Sequence, residues 1–135
     1  MSVITKSYRI AAPSGLVFLA LTNKDYIEEW SGDAAEIKAK PGGEFSLWDG
    51  AIVGKFTSIS DTEISQDWKE EDWDAYSKVV FRIHAKGDST VLEMEHTDVP
   101  EDKVESIDEG WDDYYLLPLK ELVEDVFATQ LGELD

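Results

Sequence analysis

The two imidazoles of this sequence are His84 and His96, and it contains no cysteine. Thiolate catalysis, disulfides and cysteine-ligated metals are therefore excluded. His96 shares strand parity with Leu92 and Met94, which aims it inward. His84 shares the parity of Val80 and Arg82 and points outward. Two histidines on opposite faces cannot form a metal pair, so no metal is expected. A lone inward histidine either orients a polar group of a ligand or stands as a hydrogen-bonded wall residue. Asp108 with Asp112, and Glu109 with Asp113, form i,i+4 carboxylate pairs. Without a loop of alternating oxygen ligands they would hold a hard cation only weakly, and a solvated helix face is the simpler reading. No Ser-His-Asp spacing, phosphate loop, dinucleotide fingerprint or zinc pattern appears. Carboxylates are so abundant that nominating one pair for acid–base work would be empty. The chemistry favours binding over catalysis.

The aromatic residues form the second constellation. Trp48, Trp68, Trp73 and Trp111, with Tyr114 and Tyr115, either fill a core or line a cavity. Trp73 lies in the acidic run Lys69-Glu70-Glu71-Asp72-Trp73-Asp74. There it is either a protein-contact residue flanked by Asp72 and Asp74 or an indole tucked back onto the sheet. Gly42-Gly43 and Gly50 fit turn geometry requiring positive φ, a simpler explanation than a ligand mouth.

These groups need elements to hold them. Ile4, Tyr8 and Ile10 alternate within residues 3–11, a strand pattern broken by Lys6. Pro13 opens a short helix carrying Val17, Phe18, Ala20 and Leu21. Thr22-Asn23 caps a second, with Tyr26, Ile27 and Trp30, which Gly32 ends. Strands are expected at about 34–39, 43–48, 51–60, 62–69, 76–86 and 89–97. Asp49-Gly50 has the composition of a two-residue hairpin turn. After Pro100 the apolar period changes to three and four. Ile107, Trp111, Tyr114, Tyr115, Leu119, Leu122, Val123, Val126 and Phe127 form one stripe. Pro118 should kink or interrupt that helix near 114–117, and Gly132 should stop it.

Length and charge set the remaining bounds. With 135 residues, 42% of them hydrophobic, the chain is read as one domain over 1–135 with a real core. Thirty acids against twelve bases give a formal charge of −18, which repels nucleic-acid phosphates and anionic membranes. No signal peptide and no run of about 18 apolar residues is visible, so no membrane insertion and a cytoplasmic location are expected.

Several stretches, in order, resemble one family, the domain shared with the activator of the 90-kDa heat-shock-protein ATPase. They are Pro13–Thr22, Trp30, Glu36–Gly54 with its Pro-Gly-Gly-Glu-Phe core, and Ile64 with Trp68 and Trp73. They continue through Thr90-Val91-Leu92, His96, Val99-Pro100, Gly110-Trp111 and Tyr114-Tyr115. The resemblance covers about residues 3–122. It implies the START-related, birch-pollen-allergen-like helix-grip fold. This is an α+β architecture in which a curved seven-stranded antiparallel sheet wraps a long C-terminal helix, with two short helices between strands 1 and 2 and a cavity between sheet and helix. The eukaryotic activators carry an additional N-terminal domain that makes much of the chaperone contact, whereas this chain opens on the sheet domain.

The leading expectation is a non-catalytic domain that holds a small apolar or amphipathic molecule without a cofactor. Its candidate ligand-binding residues are Phe45, Leu47, Trp68, Phe81, Met94, His96, Trp111 and Tyr115. The alternative is an interaction module or co-chaperone that stimulates a chaperone ATPase, with Trp73, Asp72 and Asp74 as its contact candidates. A cavity enzyme using His96 or Tyr115 ranks below both. Monomer and homodimer remain open.

Overall fold

A computed structural model describes residues 2–133; the expected domain limits at 1 and 135 lie outside the described residues. Strand β1 (Ser2–Ile10) is followed by two short helices, α1 (Ser14–Thr22) and α2 (Lys24–Ser31). Six strands come next: β2 (Glu36–Ile37), β3 (Glu44–Leu47), β4 (Ile52–Ile59), β5 (Glu63–Glu70), β6 (Ser77–Lys86) and β7 (Ser89–Val99). After a 3₁₀ turn at Glu101–Lys103 come α3 (Val104–Gly110), a π-helical turn (Trp111–Leu116) and α4 (Leu117–Glu133). The strands form one antiparallel sheet in the order β1-β7-β6-β5-β4-β3-β2, curved around the C-terminal helix as in the helix-grip arrangement.

Alternation decides which face is covered. In β6 and β7 the residues Val79, Phe81, Ile83, Leu92, Met94 and His96 are all buried, and the neighbours between them are not. Register pairs them directly, Val79 with His96, Phe81 with Met94 and Ile83 with Leu92. Asp98, at φ 62°, interrupts the alternation, and Val99 resumes on the buried side. The two short helices obey their sequence signals. Asn23 Oδ1 accepts from the amides of Asp25 and Tyr26, and Gly32 closes α2 at φ 75°. Helix α4 lies against α1, α2 and β1 through Leu119 and Val123, both fully buried. No described helix is long and apolar enough to cross a membrane.

Four local expectations are corrected. The strand expected at 34–39 shrinks to two residues, because the Lys40 amide bonds to the nearby Lys38 carbonyl and bends the chain. The β3–β4 connection is not a two-residue turn at Asp49-Gly50. Leu47 pairs with Ile52, leaving a four-residue loop with positive φ at Trp48, Asp49 and Gly50. Gly132 does not stop α4, which runs to Glu133 because this glycine stays out of the left-handed region. Tyr114 leaves the buried stripe and is 68% exposed, because the helix widens there. Pro118 supplies no amide to the Tyr114 carbonyl and its ring crowds that oxygen. The chain instead makes a π turn in which the Leu117 amide reaches back to Asp112. The interruption expected near 114–117 thus takes the form of added width.

Gly54 marks a very close approach between neighbouring strands. A Cβ there would lie 2.0 Å from the Asp67 carbonyl oxygen and 2.6 Å from the Phe45 ring. Gly54→Ala is expected to cost about 1–3 kcal/mol, the usual range for overpacking, read as a lower urea midpoint. An unchanged midpoint would contradict this packing.

Candidate functional site

One chain of hydrogen bonds ties the C-terminal helix to the sheet. The Trp111 indole N–H donates to His96 Nδ1 at 3.0 Å. Nδ1 is therefore unprotonated and Nε2 carries the hydrogen, which points to Ser77 Oγ at 2.7 Å. The Ser77 hydroxyl donates onward to the Trp68 carbonyl at 2.6 Å. His96 and Ser77 are both fully buried. Burial lowers the His96 pKa to about 4, so the ring is neutral at pH 7. A second proton would set an N–H against the Trp111 N–H.

The rings around this chain form one aromatic cluster. Trp111 stacks on Trp68 with centroids 5.6 Å apart, and Trp68 meets Trp73 edge-on at 5.7 Å. Tyr115 stacks on Phe81 at 5.7 Å and touches Trp111, Trp30 and Trp48. The indole N–H groups of Trp68 and Trp73 are buried without hydrogen-bond partners among the described residues. Burial pushes the Tyr115 phenol pKa up, keeping it protonated.

A second tie holds the π turn to β1. Lys6 Nζ sits 2.8 Å from both Asp108 Oδ1 and Asp112 Oδ2, and the Tyr8 hydroxyl donates to Asp112. Burial opposes the charge on Lys6, but the two carboxylates outweigh it and hold the ammonium above its ordinary range. Burial also opposes the Asp112 charge, and Lys6 with Tyr8 outweighs it, so that carboxyl stays below its usual range. Asp108 and Asp112 are therefore the counter-ions of Lys6 and not a free solvated pair, whereas Glu109 and Asp113 are exposed as expected. The lysine that broke the strand pattern does so to meet them.

Between this helix and the end of the sheet where β4 begins and β5 finishes lies an open pocket of about 360 Å³. The sheet side supplies Ala51, Ile52, Trp68 and Glu70, with Trp48 from the preceding loop. The helix side supplies Ser106, Ile107, Gly110, Trp111, Tyr114 and Tyr115. Of the expected ligand-binding residues, Trp68, Trp111 and Tyr115 line it. Phe45, Leu47, Phe81, Met94 and His96 do not; they are buried in the packed core behind it. His96 in particular has both nitrogens engaged by protein, so it positions Trp111 and presents no free atom. Of the two positions open to Trp73, the structure takes the tucked one, at 8% exposure, leaving Asp72 and Asp74 as the exposed part of that loop.

Two pocket residues outside the expected ligand-binding set, Glu70 and Trp48, were hidden by context. Glu70 shares the inward parity of Ile64 and Trp68 and pairs with Ile52, a signal obscured by the acidic run that follows it. Trp48 has the wrong parity to join Phe45 and Leu47. Its positive φ of 50° turns it to the pocket, where it rests on Trp30 and Tyr115. Gly110 lines the pocket, and a Cβ there would meet only Tyr114 at 3.9 Å.

The family described as Activator of Hsp90 ATPase homolog 1-like protein matches residues 11–124. The crystal structure of an HSP90 activator from Plasmodium falciparum is similar, with a TM-score of 0.86 at 28% identity, covering 90% of this chain and 96% of that one. An uncharacterized protein of Schizosaccharomyces pombe is 28% identical over 120 residues, 87% of this chain and 36% of that protein. Mouse activator of 90 kDa heat shock protein ATPase homolog 1 is 24% identical over 122 residues, 88% of this chain and 36% of its own. The chain thus spans 36% of the length of both curated relatives.

The neutral His96 has a consequence for stability. Its folded pKa of about 4 lies below the unfolded 6.5, so the unfolded chain binds the extra proton first. The stabilisation is complete above pH 6.5 and is lost as pH falls toward 4. Between pH 7 and 5 this site should remove about 2 kcal/mol, read by urea unfolding at the two values. The His96 ring carbons should show no NMR titration above pH 5. A His96 midpoint near 6.5 would show that the hydrogen-bond chain is not formed.

Proposed function

This chain belongs to the Activator of Hsp90 ATPase homolog 1-like family, and on that premise we propose that it is a non-catalytic domain holding a small hydrophobic or amphipathic molecule. The observation that carries the reading is the pocket of about 360 Å³ between the end of the β4–β5 pair and the π turn, with five aromatic residues in its wall. Pockets that take small molecules are concave and mostly apolar, with few polar groups. A π turn in the wall fits the same role, since such turns gather at functional sites. The polar groups nearest the core offer little to catalysis. His96 is neutral with both nitrogens engaged, and Tyr115 is held protonated.

A second reading has its own support. The Plasmodium falciparum chain, described as an HSP90 activator, is covered over 96% of its length. A domain of this size is therefore a candidate to stimulate a 90-kDa heat-shock-protein ATPase. Such a partner would meet the exposed acids Asp72 and Asp74, since Trp73 is turned inward.

Gly110 gives a direct test of the first reading. Gly110→Leu places a side chain at a pocket-lining position where a Cβ meets only Tyr114, at 3.9 Å, and replacing glycine in a helix gains up to about 1 kcal/mol. The variant is expected to fold at least as stably as the parent and to lose binding of apolar fluorescent probes and of any molecule retained in native mass spectrometry. A parent that binds no probe across a broad lipid and dye panel, yet accelerates the chaperone's ATP turnover, would support the second reading instead.

A further inference from the structure

The charged groups around the pocket carry one sign. No Lys, Arg or His lines it, and its one acidic wall residue is Glu70. A shallower depression continues from it, sharing Ala51, Ile52 and Glu70 and adding Glu71 and Asp72. None of these three carboxylates has a Lys or Arg partner among the described residues. The nearest base in sequence, Lys69, is turned away: its ammonium bonds to the Trp73 carbonyl and lies over the Tyr76 ring. Glu70 is the inward member of the group, on the parity of Trp68 and half-buried. A carboxylate on the concave face of a sheet, left without a counter-ion, needs a reason.

The aromatic wall supplies one. Trp48, Trp68 and Trp111, with Tyr114 and Tyr115, border one space of about 360 Å³. The face of an aromatic ring carries negative potential, strongest for tryptophan, and clustered rings are the usual means of holding an alkylated ammonium group. Such a group has an apolar surface and a spread charge. It suits aromatic walls that would offer a bare ammonium too few hydrogen-bond acceptors. We infer that the pocket selects a small free organic cation bearing an alkylated ammonium, its charge against Glu70 and the accessible rings of Trp48 and Tyr114. The inference rests on the reading of this pocket as a ligand site and adds the chemical class. Charge complementarity commits it to a free molecule. A zwitterionic lipid headgroup would bring its phosphate against Glu71 and Asp72, where like charges repel.

The probe pair is choline and 3,3-dimethylbutan-1-ol, which has the same shape with carbon in place of the charged nitrogen. Titrations of the full chain at constant ionic strength, followed by tryptophan fluorescence and calorimetry, should show choline binding about tenfold or more tighter than the alcohol. Glu70→Gln should weaken choline at least about fivefold and leave the alcohol unchanged. Gly110→Leu should abolish both. Equal affinity for the two probes would overturn the cation class while leaving the pocket as a ligand site. Failure of both probes and of the apolar panel together would overturn the pocket reading and this inference with it. Binding to phosphatidylcholine vesicles at least as tight as to free choline would also overturn it, in favour of a lipid surface.

Discussion

The position of the C-terminal helix depends on the hydrogen-bond chain through His96. Apolar packing alone is non-directional and would let the helix slide or turn against the sheet. Trp111 N–H, His96, the Ser77 hydroxyl and the Trp68 carbonyl each supply a donor or acceptor at fixed positions. Only one register of helix on sheet satisfies all of them. Breaking any member would leave a buried polar group unpaired, a cost of about 1–3 kcal/mol. The chain therefore fixes geometry as much as it adds stability. It also consumes the inward histidine, so the residue most suggestive of chemistry serves as a strut.

The π turn follows from a local conflict that tertiary contacts then fix in place. Pro118 denies Tyr114 its helical partner, and the widened turn begins at Trp111. Lys6, reaching from β1 to Asp108 and Asp112, clamps the turn from the other side. The result separates neighbouring tyrosines. Tyr115 enters the core against Phe81, and Tyr114 is left at the rim. The pocket lies where the helix widens.

The concave face is neither hollow nor fully closed. Large aromatic rings fill its middle, and space remains at the end of the β4–β5 pair, where the sheet side offers Ala51 and Ile52. Two indole N–H groups, those of Trp68 and Trp73, are buried in this filled region with no partner among the described residues. The formal net charge of the chain is −18, and the pocket wall holds a carboxylate and no base. Shape and field thus converge at one end of the fold.

Much of this architecture was legible in the chain. Period-two alternation placed His96 inward and His84 outward. The change of period after Pro100 located the long helix, and Asn23 and Gly32 bounded α2. Each of these is decided by forces acting over a few residues. What sequence could not decide was whether an inward aromatic fills or lines. Phe45, Leu47, Phe81 and Met94 share the parity of Trp68, yet only Trp68 reaches the pocket, because depth along the sheet depends on where the helix rests. Trp48 was unreadable for another reason: its orientation comes from a positive φ sustained by Trp30 and Tyr115, residues distant in sequence. Lys6 looked like a flaw in a strand because its partners lie some hundred residues away. Local periodicity determined which face each side chain occupies. Only long-range packing decided which of those faces would remain open.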